Sequence, residues 1–429
     1  MAEQNAYAVL NVRKGASEQD IKSAYVELVK RYDPEKHTER FMVIQSAYER
    51  LRDPKRRAKE DVFTLNYPSG EFMFTAEDRS DEPLTDVIDR IRRLEAQLQS
   101  EPDNPAVKPA LVANYLKRGF RQAQKKMWQE AIKDWAAVLK IEPTHQRARN
   151  NLLFCYQYLG YYYSLHNLLD EAINLFERSL QMWPDNLDVI HNLAIVSERN
   201  GDRERAQKYW AETVRRWKLQ LDKNPDDEYL RQCIIEVHKH HGGKALESVP
   251  TPETKQEALT QYREILRFNP TDFEAQYNIA STLMEEQKFE EAIEVLKKLQ
   301  VQHPKNLEIV NLLGWAYLNA GKFELAFGTW RRGMAADPKN ATLRDSMMRA
   351  RLAVGKKLKE GGLYTQALVH FKELQKMMPN AWELHYEIAE TLLRKGDRRS
   401  ALAEFQRVLE LDPKNKLAKK AISDIKLRA

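Results

Sequence analysis

Small, aliphatic and aromatic residues recur at helical spacing along most of this 429-residue chain. Between Phe273 and Pro338 the pattern runs twice: Ala280, Leu283, Ala292 and Pro304 stand in register with Gly314, Tyr317, Ala326 and Pro338. The two prolines are 34 residues apart, the period of a stacked helix-turn-helix array. With proline as a ruler, Pro143, Pro184, Pro225, Pro270, Pro304, Pro338, Pro379 and Pro413 mark eight units, at steps of 41, 41, 45, 34, 34, 41 and 34 residues. Seven residues are about two helical turns, so a 41-residue unit is a 34-residue one with a helix lengthened on the same face. In the third unit Ala206 keeps its offset from Asp188 while Pro225 lies late, so there the second helix is the longer one. Ala131, Ala172, Ala258, Ala292, Ala326, Ala367 and Ala401 supply the small contact residue elsewhere. One turn on come Trp135, Phe176, Trp210, Tyr262, Trp330, Phe371 and Phe405, a stripe that reads as core rather than as a ligand box.

The amino-terminal segment has a different pattern. Residues 7–12 form a short apolar turn, and Ser17 is an N-cap for a helix from Gln19 to Tyr32 that carries Ile21, Tyr25, Leu28 and Tyr32 on one face. After the Asp33-Pro34-Glu35 turn, a helix from Thr38 presents Phe41, Ile44, Ala47, Tyr48 and Leu51 as the complementary stripe. Residues 62–83 have loop chemistry, with Phe63, Tyr67, Phe72 and Phe74 scattered along them, and dock as an extended strip on the array or on a partner, docking within the chain being the simpler case. Residues 84–108 hold a capping helix from Leu84 to about Ser100, with Val87, Ile88, Ile91, Leu94 and Leu98 on one face. The repeats occupy 109–414, and a carboxy-terminal helix over 415–429 turns Leu417, Ile422, Ile425 and Leu427 inward as the closing cap.

These residues carry two resemblances. The L-G-x2-Y, A and P register resembles the tetratricopeptide repeat, which implies an all-α, right-handed superhelical solenoid. Residues 5–61, with Tyr7 to Leu10, Ala24-Tyr25, Ala47-Tyr48, the run from Asp53 to Arg57 and Asp61, resemble a J domain. J domains stimulate a DnaK-type ATPase through a His-Pro-Asp turn. Here Asp33, Pro34 and Glu35 stand in its place, so the imidazole donor is lost and weakened coupling to such a partner is expected. Lys22, Lys30, Arg31 and Lys36 could offer a basic face, or be simply a solvated one.

In tetratricopeptide repeats the second, fifth, sixth, ninth and twelfth positions of each first helix line a groove. Carried onto this chain they give Tyr161, His191, Asn192, Tyr277, Asn278, Ser281, Asn311, Trp315, Tyr386 and Glu390. Amides can hold a peptide backbone and aromatics can stack on its side chains. Glu308 and Leu312 stand where a carboxylate-clamp subfamily would want Lys and Arg, so that clamp is not expected.

Residues 226–256 are irregular: the run from His238 to Gly243 and the Pro250 to Pro252 loop are expected to interrupt the fourth hairpin, with the glycines closing a helix. His238 and His241, three apart, could share a face as metal ligands, but no third ligand is evident, and no metal or other cofactor is expected. Gly242-Gly243-Lys244 lacks the preceding strand and following Ser or Thr of a phosphate loop.

Charge and composition add little. Lys and Arg number 69 against 63 Asp and Glu, a formal +6 spread over the chain, which is no nucleic-acid footprint. Cys155 and Cys233 form no disulfide framework, and no apolar run approaches a membrane span. The expectation is a cytoplasmic, non-enzymatic scaffold, chaperone-like or an assembly factor, that binds client proteins or peptides in its groove. The alternatives are a J-protein co-chaperone that recruits a DnaK-type ATPase, and a helical-repeat RNA binder.

Overall fold

The computed structural model describes residues 6–79, 82–247 and 251–427. Among these the protein is all helical, with 22 helices and no strand. The chain divides into two compact units, residues 1–241 and 242–429.

The first unit begins with α1 (Ala6–Leu10), α2 (Glu18–Arg31), α3 (Thr38–Arg52) and α4 (Pro54–Asp61). The expected turn at residues 7–12 is instead a turn of helix, closed by Asn11 at φ 55°. Ser17 and Asp20 form a reciprocal capping box that starts α2. Packing of α2 on α3 buries Ile21, Ile44, Ala47 and Leu51, and Tyr25 stacks on Tyr48 at 4.1 Å. Then come α5 (Leu84–Ser100), α6 (Val107–Gln124), α7 (Trp128–Ile141), α8 (Gln146–Leu165), α9 (Leu169–Met182), α10 (Leu187–Arg199) and α11 (Arg203–Lys223). Helix α5 packs on α6, and α6/α7, α8/α9 and α10/α11 are hairpins. Next follow α12 (Glu228–Glu247), within which the two units meet in sequence, and α13 (Pro252–Phe268).

In the second unit, α13 packs on the first of four hairpins. These are α14 (Phe273–Glu285) with α15 (Phe289–Gln302), α16 (Leu307–Asn319) with α17 (Phe323–Ala336), α18 (Ala341–Glu360) with α19 (Tyr364–Met377), and α20 (Trp382–Lys395) with α21 (Arg398–Leu411). Helix α22 (Lys416–Leu427) closes on α21.

One contact recurs within the hairpins. A small residue of the first helix lies under the aromatic of the second, as with Gly119 and Trp135 or Gly160 and Phe176. A Cβ on Gly160 would stand 2.7 Å from Phe176 Cε1, so the ring occupies the space a side chain would need. Helix lengths follow the proline ruler. Helices α14 and α16 have 13 residues, α8 and α18 have 20, and α11 rather than α10 is lengthened, to 21.

Two expectations need correction. The run from His238 to Gly243 does not end a helix, because α12 continues through both glycines to Glu247. Gly242 lies beneath Tyr262, where a Cβ would be 3.0 Å from the ring Cζ, so it serves the hairpin contact rather than a cap. Pro250 lies outside the described residues. In α22 the inward residues are Ala418, Ala421, Ile422 and Ile425, whereas Leu417 and Leu427 are exposed; Arg428 lies outside the described residues.

Gly160→Ala tests the contact. Overpacking costs about 1–3 kcal/mol and outweighs the roughly 1 kcal/mol that alanine gains over glycine inside a helix. The urea midpoint should fall, and adding Phe176→Leu should recover part of the loss. Strictly additive effects in that double-mutant cycle would mean the two residues are not in the strained contact described.

Candidate functional site

An extended segment has backbone donors and acceptors on both edges, and something must satisfy them wherever it leaves water. Residues 62–79 form a strap, of which 65–75 have no regular secondary structure, and it lies along the first helices of the first unit's hairpins. Asn192 on α10 meets them with its amide: Asn66 N–H donates to Asn192 Oδ1 at 2.7 Å, and Asn192 Nδ2 donates to the Asn66 carbonyl at 2.9 Å. Asn151 on α8 repeats the arrangement on Met73, at 2.6 and 3.0 Å. Each side chain does for one residue what a neighbouring strand would do.

The strap's aromatics fill the spaces between. Phe72 stacks on Trp128 at 5.6 Å and meets Phe154 edge-on at 4.7 Å, while Phe74 meets Phe120 at 4.5 Å. Phe63 lies between Trp210 and His240, and Tyr67 contacts Tyr161. The strap ends at a buried Asp78, whose Oδ2 accepts from Thr75 and from Arg147 Nη1 at 2.5 Å.

Ahead of the strap, the amino-terminal module is seated on α12 through a buried polar cluster. Arg57 and Asp61 are each 4% exposed and pair at 3.6 Å. Tyr7 also bonds Asp61, Tyr229 Oη donates to Asp61 Oδ2 at 2.8 Å, and the Arg57 guanidinium lies 3.9 Å from the Tyr229 ring centroid. Arg57 completes its bonds on Tyr7 Oη and the Ala16 carbonyl. A buried charge is tolerable only when paired and hydrogen-bonded, and this cluster meets both conditions. Burial pushes the Tyr7 and Tyr229 hydroxyls well above the usual tyrosine range and Cys233 up to about 12.

His191 sits between module and strap. Its Nε2 contacts the Val62 carbonyl at 2.7 Å and its Nδ1 contacts Asn66 Nδ2 at 2.8 Å. A carbonyl can only accept and an amide NH2 can only donate, so the ring is the neutral tautomer with its proton on Nε2.

The structure therefore places Tyr161, His191 and Asn192 against the chain's own strap. They are not an open wall in this state. The second unit differs. Tyr277, Asn278, Ser281, Asn311, Trp315, Tyr386 and Glu390 are all half-buried on its first helices. Trp315 donates to Ser346 Oγ, Asn311 accepts from Trp330 Nε1, and Glu390 pairs with Lys359, so these three are already engaged. Among the described residues the Asn278 amide has no hydrogen-bond partner. Asn278 lies two residues before Ala280, as Asn192 lies two before Ala194, so the two occupy the same register.

The DnaJ domain model matches residues 5–61, and two tetratricopeptide repeat models match 255–306 and 283–352 with 358–425. The chain carries a J domain followed by tetratricopeptide repeats. "Chaperone protein DnaJ" of Limosilactobacillus reuteri (strain DSM 20016) is 44% identical over 75 residues, 16% of this chain and 20% of the relative. "Chaperone protein DnaJ" of Leptospira biflexa serovar Patoc (strain Patoc 1 / Ames) is 44% identical over 69 residues, 15% and 18% respectively. The chain spans about a fifth of the length of these curated relatives. Two solved repeat proteins are similar at 20% identity. MamA has a TM-score of 0.32 and covers 42% of this chain and 93% of its own; YrrB, titled a TPR protein with an unusual peptide-binding site, has 0.30, 48% and 96%.

The family's signature loop in this J domain faces solvent. Asp33, Pro34 and Glu35 are exposed, and Asp33 Oδ1 accepts the Glu35 N–H at 2.8 Å to close the turn. Lys22, Lys30, Arg31 and Lys36 are exposed as well.

Two measurements follow. Asn192→Ala leaves both backbone groups of Asn66 without their partner, a loss of about 1–3 kcal/mol. Amide exchange over residues 62–70 should speed up while α14 to α21 are unchanged; unaltered exchange would show that the amide does not hold the strap. Acidification should also loosen it. Burial holds the His191 pKa down to about 3, with Lys14 acting the same way and the Val62 bond opposing. The released ring titrates near 6.5, so between these values the unfolded form holds the extra proton. Stability is then complete above about 6.5 and declines as pH falls towards about 3. Asp188, raised by burial, acts with the opposite sign, and Lys14, pushed down to about 8, contributes nothing below that pH. His191→Gln isolates the histidine: between pH 7 and 5 its urea midpoint should drop less than that of the wild type.

Proposed function

We propose that this protein is a non-enzymatic interaction scaffold of chaperone or assembly type, whose second unit takes extended segments of client proteins along its first helices. The observation that carries this reading is the pair Asn192 and Asn278. The first grips an extended strap through both backbone groups of one residue, and the second stands in the same register with its amide unengaged. Tyr277, one residue before it, stacks on Phe273 and offers a ring face beside the amide, and Ser281 lies one turn further along the helix. A client segment held in this way contributes its backbone to Asn278 and an apolar side chain to Tyr277. The first unit's face is filled by the strap, so it serves as a receptor for the chain's own residues 62–79.

A second reading, a J-protein co-chaperone, is favoured by the exposed Asp33-Pro34-Glu35 loop. The seating of the J domain uses Tyr7, Arg57 and Asp61 and leaves this loop and the basic residues of α2 in solvent. Replacing the loop's imidazole by a carboxylate removes a donor and adds negative charge, so the coupling is weak rather than structurally blocked.

Binding of unfolded-client peptide libraries to the full chain tests the first reading. The Tyr277→Ala, Asn278→Ala double variant should lose about tenfold in affinity, the equivalent of 1.4 kcal/mol. Undiminished binding with an unchanged circular dichroism spectrum would rule out this face. Steady-state ATPase assays with a DnaK-type chaperone test the second. Stimulation by the wild type should be weak and should rise several-fold in the Asp33→His, Glu35→Asp variant; no rise would remove the co-chaperone reading.

A further inference from the structure

Among the described residues one group of acidic, His or Cys side chains is close enough to share an ion: Glu198 on α10 with His240 and His241 on α12, their donor atoms all within 4.8 Å of one another. We propose that these three residues bind a divalent late-transition-metal ion of the zinc, nickel or copper class. Two imidazoles and a carboxylate are the donor set those ions favour over magnesium or calcium, which prefer oxygen ligands alone.

The sequence raised His238 and His241 as a pair and found no third ligand. The fold supplies a different set: His240 replaces His238, and the carboxylate comes from another repeat, 42 positions earlier in the chain. His240 Nε2 and Glu198 Oε1 already meet at 2.6 Å, a proton-bridged contact that an ion would replace. With bonds near 2.0–2.1 Å, tetrahedral donors lie about 3.3 Å apart, so the first pair opens slightly and His241 closes in by side-chain rotation. The rings of His240 and His241 are 5.6 Å apart, near enough to turn onto one centre.

Glu198 is also held from behind. Trp210 Nε1 donates to its other oxygen at 2.7 Å, the kind of outer bond that fixes a ligating carboxylate. The Glu198 and His240 side chains are 17% and 34% exposed, which leaves a route for the ion and room for water as a further ligand. Phe63, the first aromatic of the strap, lies 4.5 Å from the His240 ring, so an ion here would pin α10 to α12 under the point where the strap enters.

The test uses the full chain, stripped with a chelator and then titrated with Zn2+ by calorimetry and with Co2+ by its visible ligand-field bands. One ion per chain should bind at micromolar or lower concentration, with nitrogen and oxygen donors in the cobalt spectrum, and should slow amide exchange at residues 62–66. His240→Ala and Glu198→Gln should each weaken binding by about tenfold or more, whereas His238→Ala should bind like the wild type. If His240→Ala fails to fold, Glu198→Gln, which keeps an oxygen for Trp210, decides the matter. Absence of one-to-one binding, binding undiminished in Glu198→Gln, or an equal loss in His238→Ala would overturn the proposal.

Discussion

A side chain too small to keep its neighbour away sets the geometry of each repeat. Where Gly119, Gly160, Gly242 or Gly355 underlies a ring, the two helices of a hairpin approach until the ring fills the gap. The pairs Ala194 and Trp210, and Ala389 and Phe405, keep the same sixteen-residue offset that separates Gly160 from Phe176. In the fourth pair the offset from Gly242 to Tyr262 is twenty, so the added residues amount to about one turn and the contact survives the change in length. The conserved quantity within the chain is therefore a face and not a length.

That constraint uses one side of each first helix and leaves the other unspent. In the first unit the free side is covered by residues 62–79, and the cover is specific because polar and apolar parts alternate in function. Asn192 and Asn151 satisfy backbone groups, while Phe63, Phe72 and Phe74 remove apolar area from water on both sides of them. The J domain follows the same logic at its own contact. Arg57 and Asp61 are buried as a pair, with Tyr7 and Tyr229 satisfying what the pair leaves over. A motif that reads as part of the J domain's own fold is thus also its attachment point.

The sequence announced the repeat through contacts that recur and missed those that occur once. The alternation of 34- and 41-residue steps, the lengthening of α11 and the limits of α5 could all be read, since each depends on period and on proline or capping signals. Asn151 escaped because it stands in the extra turns that precede the numbered groove positions of α8, where a family register has no entry point. Tyr229 escaped because its partners in the J domain are 168 and more residues away, and nothing in the local pattern marks it. The glycine pair of α12 misled for a physical reason: glycine after a run of His and Lys resembles a helix end, and only the tertiary approach of Tyr262 explains it inside a helix. His191 and Asn192 were legible as groove residues, but a pattern of exposed positions states which surface is free to bind and not which part of the chain already lies there.

The anchors of the strap are indifferent to spelling. A carboxamide that engages only the N–H and C=O of residues 66 and 73 accepts any side chain at those two sites apart from proline, which has no N–H to give. Mutational drift at these sites therefore leaves the two carboxamide anchors intact, although at residue 66 it forfeits the contact of the Asn66 amide with His191, whereas the rings between and beside them are tied to pockets of fixed shape. Selection on this segment should thus fall on its aromatic rhythm, and two lineages could keep the same docked strap while sharing few of its letters.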